Sequence, residues 1–161
     1  MKKTILLVML IGLLASIGSL SARAESRRDH FNVNASGLGM KGYDPISYHE
    51  GEPRKGLASI SLTHKNTLYN FVSQENRNRF EKDPSRYEPA YGGWCAWAML
   101  EGDKVDINPK RYRVVNNKTY LFYDSFFINT LKKWNRLASE ESEVTLIRRA
   151  DEQWNRINSG P

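Results

Sequence analysis

Ile60-Ser61-Leu62-Thr63-His64-Lys65-Asn66-Thr67-Leu68-Tyr69-Asn70-Phe71-Val72-Ser73-Gln74-Glu75 is the stretch that decides the fold class. Ile60, Leu62 and His64 alternate with Ser61 and Thr63, the period of a half-buried strand. Leu68 to Val72 reads as a second strand. Asn66 between them suits a tight turn, so the pair is a β-hairpin. Ser73 then stands at a helix N-cap, where its hydroxyl can accept from a first-turn amide. Glu75 opposes the positive end of the helix dipole. A helix is expected from about Gln74 to Lys82, anchored by Phe80. Asp83-Pro84 ends it and opens another turn.

Toward the C-terminus, Tyr91-Gly92-Gly93-Trp94-Cys95-Ala96-Trp97-Ala98-Met99 is the least polar stretch after the N-terminal segment. Its paired glycines point to close backbone approach or positive φ, and the segment reads as a strand. Tyr112–Val115 and Thr119–Tyr123, separated by Asn116-Asn117-Lys118, make a second hairpin. Two helices follow. Phe127, Leu131, Trp134 and Ala138 form one apolar stripe; Val144, Ile147, Ala150, Trp154 and Ile157 form the other. Strands, helix, strands and helices in that order predict an α+β fold. The expected form is a small antiparallel sheet of hairpins with one central helix and two C-terminal helices. No internal repeat is apparent in the residues.

Toward the N-terminus, Gly42-Tyr43-Asp44-Pro45 is a turn and Ile46 to Tyr48 reads as the start of a strand. Residues 25–41 are polar and broken by Gly37 and Gly39, as expected of a flexible lead-in. Residues 1–24 carry Lys2 and Lys3, an apolar run from Ile5 to Leu14, and Ala22-Arg23-Ala24. That is the pattern of a secretory signal peptide cleaved after Ala24. The apolar run is short for a membrane span. A single domain over 42–158, periplasmic or secreted in a bacterium, is the expectation.

The 161 residues include 24 Lys and Arg against 18 Asp and Glu. Loss of Lys2, Lys3 and Arg23 with the signal leaves 21 basic residues and a net charge of +3. No run of five basic residues remains, so a nucleic-acid partner is not expected. Nor is a membrane once the signal is gone. The single Cys, Cys95, excludes an intramolecular disulfide and any multi-cysteine zinc or iron–sulfur site. The sequence has no G-x-S-x-G, H-E-x-x-H, phosphate loop or G-x-G-x-x-G.

An ordered set of motifs runs from Gly42 to about Tyr123. It comprises Gly42-Tyr43-Asp44-Pro45-Ile46-Ser47-Tyr48, then His64, Tyr69, Phe71 and Ser73, then Glu75-Asn76-Arg77, Phe80, Asp83-Pro84 and Tyr87. Tyr91-Gly92-Gly93-Trp94-Cys95-Ala96 and Val105-Asp106-Ile107-Asn108-Pro109 complete it. The set resembles the YHS-domain family in its longer, exported form. The resemblance implies a compact α+β unit and an association with metal handling. It departs from the short YHS domains at the positions of their metal-ligating cysteines, which here are Ser47, Val72 and Asn76. Valine ligates nothing, and serine and asparagine are poor ligands for a soft metal.

Three groups of residues are candidates for chemistry. Cys95, with Met99 and His64, has ligands suited to copper(I), which soft sulfur selects. The plainer alternative is a buried structural cysteine. On a strand, moreover, Cys95 and Met99 would lie about 13 Å apart. Tyr43, Asp44, Tyr48, Tyr91, Trp94 and Asp106 are the expected lining of a small-ligand pocket, since aromatic walls with a few polar groups make such sites. The alternative is a turn aspartate and packed tyrosines. A Cys–His nucleophile pair is the third candidate. The leading expectation is an exported, non-enzymatic binding protein holding a copper ion or a small ligand in metal homeostasis. The alternatives are a protein-interaction module that has lost the family's metal site, and a thiol-dependent enzyme using Cys95.

Overall fold

The computed structural model describes residues 30–159, so the expected signal peptide and residues 25–29 lie outside the described residues. The fold is α+β, as the hairpin-then-helix pattern predicts. Strands β1 (Leu57–His64) and β2 (Thr67–Phe71) form one antiparallel hairpin; β3 (Asn108–Val115) and β4 (Lys118–Phe122) form another. They are two separate two-stranded sheets. Helices α1 (Gln74–Lys82), α2 (Pro84–Tyr87) and α3 (Ala96–Met99) lie between the hairpins. Helices α4 (Thr130–Glu141) and α5 (Glu143–Ser159) close the chain. Ser73 caps α1 by accepting from the Asn76 amide, and Asp83 caps α2 with Pro84 at its first position.

The two halves repeat one backbone design, 51 residues apart (Asn108 against Leu57). Met40, Lys41 and Gly42 have φ of 51°, 53° and 80°; Tyr91, Gly92 and Gly93 have 55°, 59° and 86°. Gly51 and Gly102 follow at 85° and 81°. Both hairpins turn on two left-handed residues, Lys65-Asn66 and Asn116-Asn117, and both slip register at the same place, Leu57/Ser61 and Asn108/Tyr112. Parallel bridges Leu38↔Leu68 and Pro89↔Thr119 correspond as well. So do the bonds from Asp44 N–H to the Arg54 carbonyl and from Cys95 N–H to the Val105 carbonyl, both 2.9 Å. The expectation of no internal repeat is therefore corrected at the level of the backbone.

Each half packs its own core. Met40, Ile46, Tyr48, Tyr69, Phe71 and Phe80 build the first, which Cys95 and Leu121 also enter. Tyr91, Met99, Phe122, Trp134, Leu146 and Ala150 build the second, with α4 and α5 as its cover. Several local expectations change. Ile46–Tyr48 leads into a 3-10 turn, Ser47–Glu50, not a strand. The Tyr91–Met99 stretch is a 3-10 turn (Ala90–Gly93) followed by α3, because consecutive positive-φ residues cannot continue a strand. Phe127 falls outside α4 and is 90 % exposed, and Val144 is 68 % exposed; Leu146 fills the buried place in α5 instead. Within the expected flexible lead-in, residues 30–41 form a strap tied to the body. Asn32 N–H donates to the Gly92 carbonyl (2.9 Å), Asn32 Nδ2 to the Gly93 carbonyl (3.1 Å), and Trp94 Nε1 to the His30 carbonyl (3.0 Å).

Candidate functional site

A cleft of about 300 Å³ opens where the strap, the 90–93 turn, β4 and α5 meet. Its apolar wall is Phe31, Pro89, Ala90, Tyr91, Tyr120 and Trp154. Lys65, Glu88, Lys118 and Asp151 supply its charges. Backbone geometry places the wall. Tyr91 adopts a left-handed φ of 55°, which costs a non-glycine residue about 1–2 kcal/mol. Gly92 beside it carries no side chain because a Cβ there would lie 2.6 Å from the His30 carbonyl oxygen. The bridge from Pro89 to Thr119 fixes the turn against β4.

Each charge is held by a different set of partners, Lys118 Nζ by donating to the Ser85 carbonyl at 3.1 Å. Glu88 receives His64 Nε2 at 2.6 Å and Lys65 Nζ at 3.1 Å. Tyr91 Oη donates to Asp151 Oδ1 at 3.0 Å. Burial pushes the Asp151 carboxyl above the ordinary carboxylate range, against the opposing pull of the Tyr91 hydroxyl and Lys118. Burial likewise pulls the Lys118 ammonium down, with Lys65 adding repulsion and Glu88 opposing it. Tyr91 is pushed far above the ordinary phenol range, first by burial and then by Asp151, and Tyr120 is pushed up to about 12. The cleft thus holds an acid and an amine that both give up solvation on an aromatic floor. Groups with such shifts in a concave site mark it as a candidate functional site.

The six expected ligand-binding residues do not share one pocket. Tyr91 alone enters this cleft. Asp106 lies at the rim of a second recess of about 450 Å³, paired with Lys41 at 2.7 Å, near the unpartnered buried Oδ1 of Asn70. Trp94 fastens the strap, and Tyr48 donates to the Pro109 carbonyl at 2.9 Å. Tyr43 packs on the first core and bridges to Lys55. Asp44 is fully buried. Its Oδ1 accepts from Ile46 N–H (2.8 Å), and its Oδ2 from Val72 N–H (2.9 Å) and Asn76 Nδ2 (2.8 Å). Ser47 Oγ donates to the Asp44 carbonyl at 2.6 Å. Positions 47, 72 and 76 therefore all bond to Asp44, Val72 N–H and Asn76 Nδ2 to its carboxylate and Ser47 Oγ to its main-chain carbonyl.

The expected metal set is also separated. His64 pairs with Glu88 at the end of β1, Cys95 enters the first core and Met99 the second. No group of three or more His, Cys, Asp or Glu side chains suited to a metal forms among the described residues. Cys95 stands at the N-cap position of α3, without a capping bond from its side chain, rather than in a strand, and it is fully buried. It occupies the place that Asp44 holds in the first half. Tyr123 N–H donates to its sulfur at 3.3 Å, as Val72 N–H donates to Asp44. Thr130 Oγ1 lies 3.5 Å from the sulfur and donates its own proton to the Tyr123 carbonyl at 2.7 Å, which leaves the thiol as donor to Thr130. The buried structural alternative describes this geometry.

Comparison with protein-family models, with characterised proteins and with solved structures finds no match to this chain. The cleft's reach across the sequence explains why residue reading missed most of it. Lys65, Glu88, Lys118 and Asp151 come from four separate segments. One signal was present. Asp151 shares a helical face with Ile147 and Trp154, a charge within an apolar stripe.

Proposed function

We propose that this chain is a non-enzymatic binding protein that holds a small organic molecule in the cleft between the strap, β4 and α5. The observation that carries the reading is that Lys118 and Asp151, each displaced from ordinary titration first by desolvation, line one cleft beside an aromatic wall. A fitting ligand has a flat apolar body for Tyr91, Tyr120 and Trp154. It also bears both charges: an anionic group for Lys118 and a cationic group for Asp151. An aromatic amino acid is the simplest molecule of that class.

Ligand-observed NMR with free tryptophan and free tyrosine tests this, using wild type and the Lys118→Met and Asp151→Asn variants. Line broadening in wild type that is lost in both variants is the expected result. Absence of broadening by either amino acid, or broadening unchanged in both variants, refutes it. Copper handling at Cys95 is a separate reading that rests on the preference of copper(I) for soft sulfur, beside the general association with metal handling that the YHS resemblance implies. The bonding of positions 47, 72 and 76 to Asp44 suits an inherited centre, but the Asp44 carboxylate with three N–H donors supplies no soft ligand there.

A further inference from the structure

The internal repeat supplies its own control for one unusual feature. In the first half, Val72 and Ser73 alone join β2 to α1. In the second half, residues 123–129 join β4 to α4. The added residues contain Ser125-Phe126-Phe127-Ile128, which the first half shows to be unnecessary for joining such a strand to such a helix. They are not a loose insertion. Ser125 N–H donates to the Ile128 carbonyl at 2.8 Å, Ile128 N–H donates to Ser125 Oγ at 3.3 Å, and Asp124 bridges to Asn129. This closed turn presents Phe126 and Phe127 at 94 % and 90 % exposure, with their rings 4.8 Å apart, and Ile128 at 42 %. Aromatic residues exposed to that degree side by side are what soluble surfaces avoid.

The helix behind the tip departs from its counterpart too. Helix α1 places Glu75 in its first turn, as the dipole favours. Helix α4 has no acid there and carries Lys132 and Lys133 instead, with Arg136 one turn on. Lys132, Lys133 and Arg136 are exposed and surround Trp97, with Lys133 Nζ 6.0 Å from the Trp97 ring. None of the three forms an ion pair among the described residues. Positive side chains on a positive helix end oppose folding locally, so their placement points outward, to an anionic surface.

We infer that the 125–128 tip inserts into the interface of an anionic lipid bilayer, with Lys132, Lys133 and Arg136 against the headgroups. The occupant follows from shape and charge together. A protein interface of standard size needs about 800 Å² per partner, spread over a broad patch. Three protruding side chains do not provide that, whereas a bilayer accepts a narrow apolar point followed by exposed cations on the first turns of the next helix. The inference overrides the sequence expectation of no membrane association after signal removal. It concerns a peripheral contact, since no helix among the described residues is long and apolar enough to cross a membrane.

The test is vesicle co-sedimentation of the chain from Glu25 onward. That form keeps every described residue and removes an apolar leader that would bind lipid by itself. Vesicles of phosphatidylcholine alone are compared with vesicles containing phosphatidylglycerol. Binding to the anionic vesicles is expected, falling with salt. Replacing both phenylalanines (F126S with F127S) should weaken it about tenfold or more. K132E with K133E should also weaken it, each basic residue being worth about fivefold. Thermal melting of each variant establishes that it is folded; Lys132→Gln is the milder substitute if the charge reversal is not. Three results would overturn the inference: no binding to anionic vesicles, equal binding to both vesicle types, or undiminished binding by the folded double phenylalanine variant. A concentration-dependent dimer in light scattering that F126S with F127S abolishes, without lipid binding, would also overturn it and assign the tip to self-association.

Discussion

Replacing Asp44 by alanine should be among the most damaging single changes to this fold. The carboxylate is fully buried and accepts from three N–H groups, on Ile46, Val72 and Asn76. Each donor left buried without a partner costs about 1–3 kcal/mol. Water entering the vacated space recovers part of that, so a net loss of roughly 3–5 kcal/mol is expected. A domain is stable by only about 5–15 kcal/mol, so the loss is a large fraction of the total. For a chain of this size it corresponds to a fall in melting temperature of about 10–20 °C. Asp44→Asn should lie between wild type and Asp44→Ala, because its amide oxygen can still accept from Val72 N–H and Asn76 Nδ2 while its amide nitrogen faces the Ile46 N–H without accepting from it. Urea denaturation followed by tryptophan fluorescence measures the change. Asp106→Ala is the control: it removes a half-exposed ion pair with Lys41 and two bonds that Asp106 accepts, from Asn32 Nδ2 (3.0 Å) and Ile107 N–H (2.8 Å), and because water reaches this carboxylate the loss should be only about 1–2 kcal/mol. If Asp44→Ala were no more destabilising than Asp106→Ala, the reasoning that Asp44 is the clamp of the first half would be wrong.

Three further outcomes are expected. Gly92→Ala should detach the strap, because the new Cβ would meet the His30 carbonyl at 2.6 Å and φ is +59°; limited proteolysis should show faster cleavage near residues 30–35, and wild-type rates would refute it. Cys95→Ser should leave copper(I) uptake unchanged in a chelator-competition titration, since the buried sulfur is engaged by Tyr123 and Thr130; stoichiometric binding lost in the variant would restore the metal reading. Burial, with Arg86 and Arg79 adding repulsion, holds the His49 imidazole below its ordinary value of 6.5. The unfolded chain therefore takes up a proton that the folded chain resists as pH falls below 6.5, and stability drops in that range. His49→Gln should flatten the pH dependence of melting there, and an unchanged profile in the variant would assign the drop to other groups.

The elements whose residues interact locally were legible in the sequence. The two hairpins, the Ser73 cap and the Asp83-Pro84 stop each depend on neighbours a few positions away, and all appear as expected. The 90–99 segment was not legible, because its apolar composition suits a buried strand and a buried turn alike, and three successive left-handed residues decide between them. Phe127 has the right spacing for the α4 stripe, yet Asn129 caps the helix by accepting from the Lys132 amide and leaves Phe127 outside. The cleft was least legible. Its charges acquire meaning only when four distant segments meet, and of its lining only Tyr91 is among the ligand-binding residues expected from the sequence.

The repeat was hidden because the halves conserve conformation while exchanging chemistry. Gly42/Gly93, Gly51/Gly102, Asn66/Asn117, Tyr69/Tyr120 and Phe71/Phe122 are retained where backbone or core demands them. Asp44 and Cys95 occupy one structural place with different means, a carboxylate with three N–H donors and a sulfur with one. That difference bears on where function sits. A point that both halves keep, merely to tie a turn to the strand end beside it, is explained by folding alone. The features folding does not explain are those present once. The cleft needs Phe31 at the start of the strap and α5, neither of which has a counterpart in the other half, and the Phe126-Phe127 tip is an insertion that the first half lacks. In a fold built twice from one design, selection for stability acts on both copies alike. The unrepeated additions, a polar cleft at one junction and an apolar tip at another, are therefore where binding is to be sought.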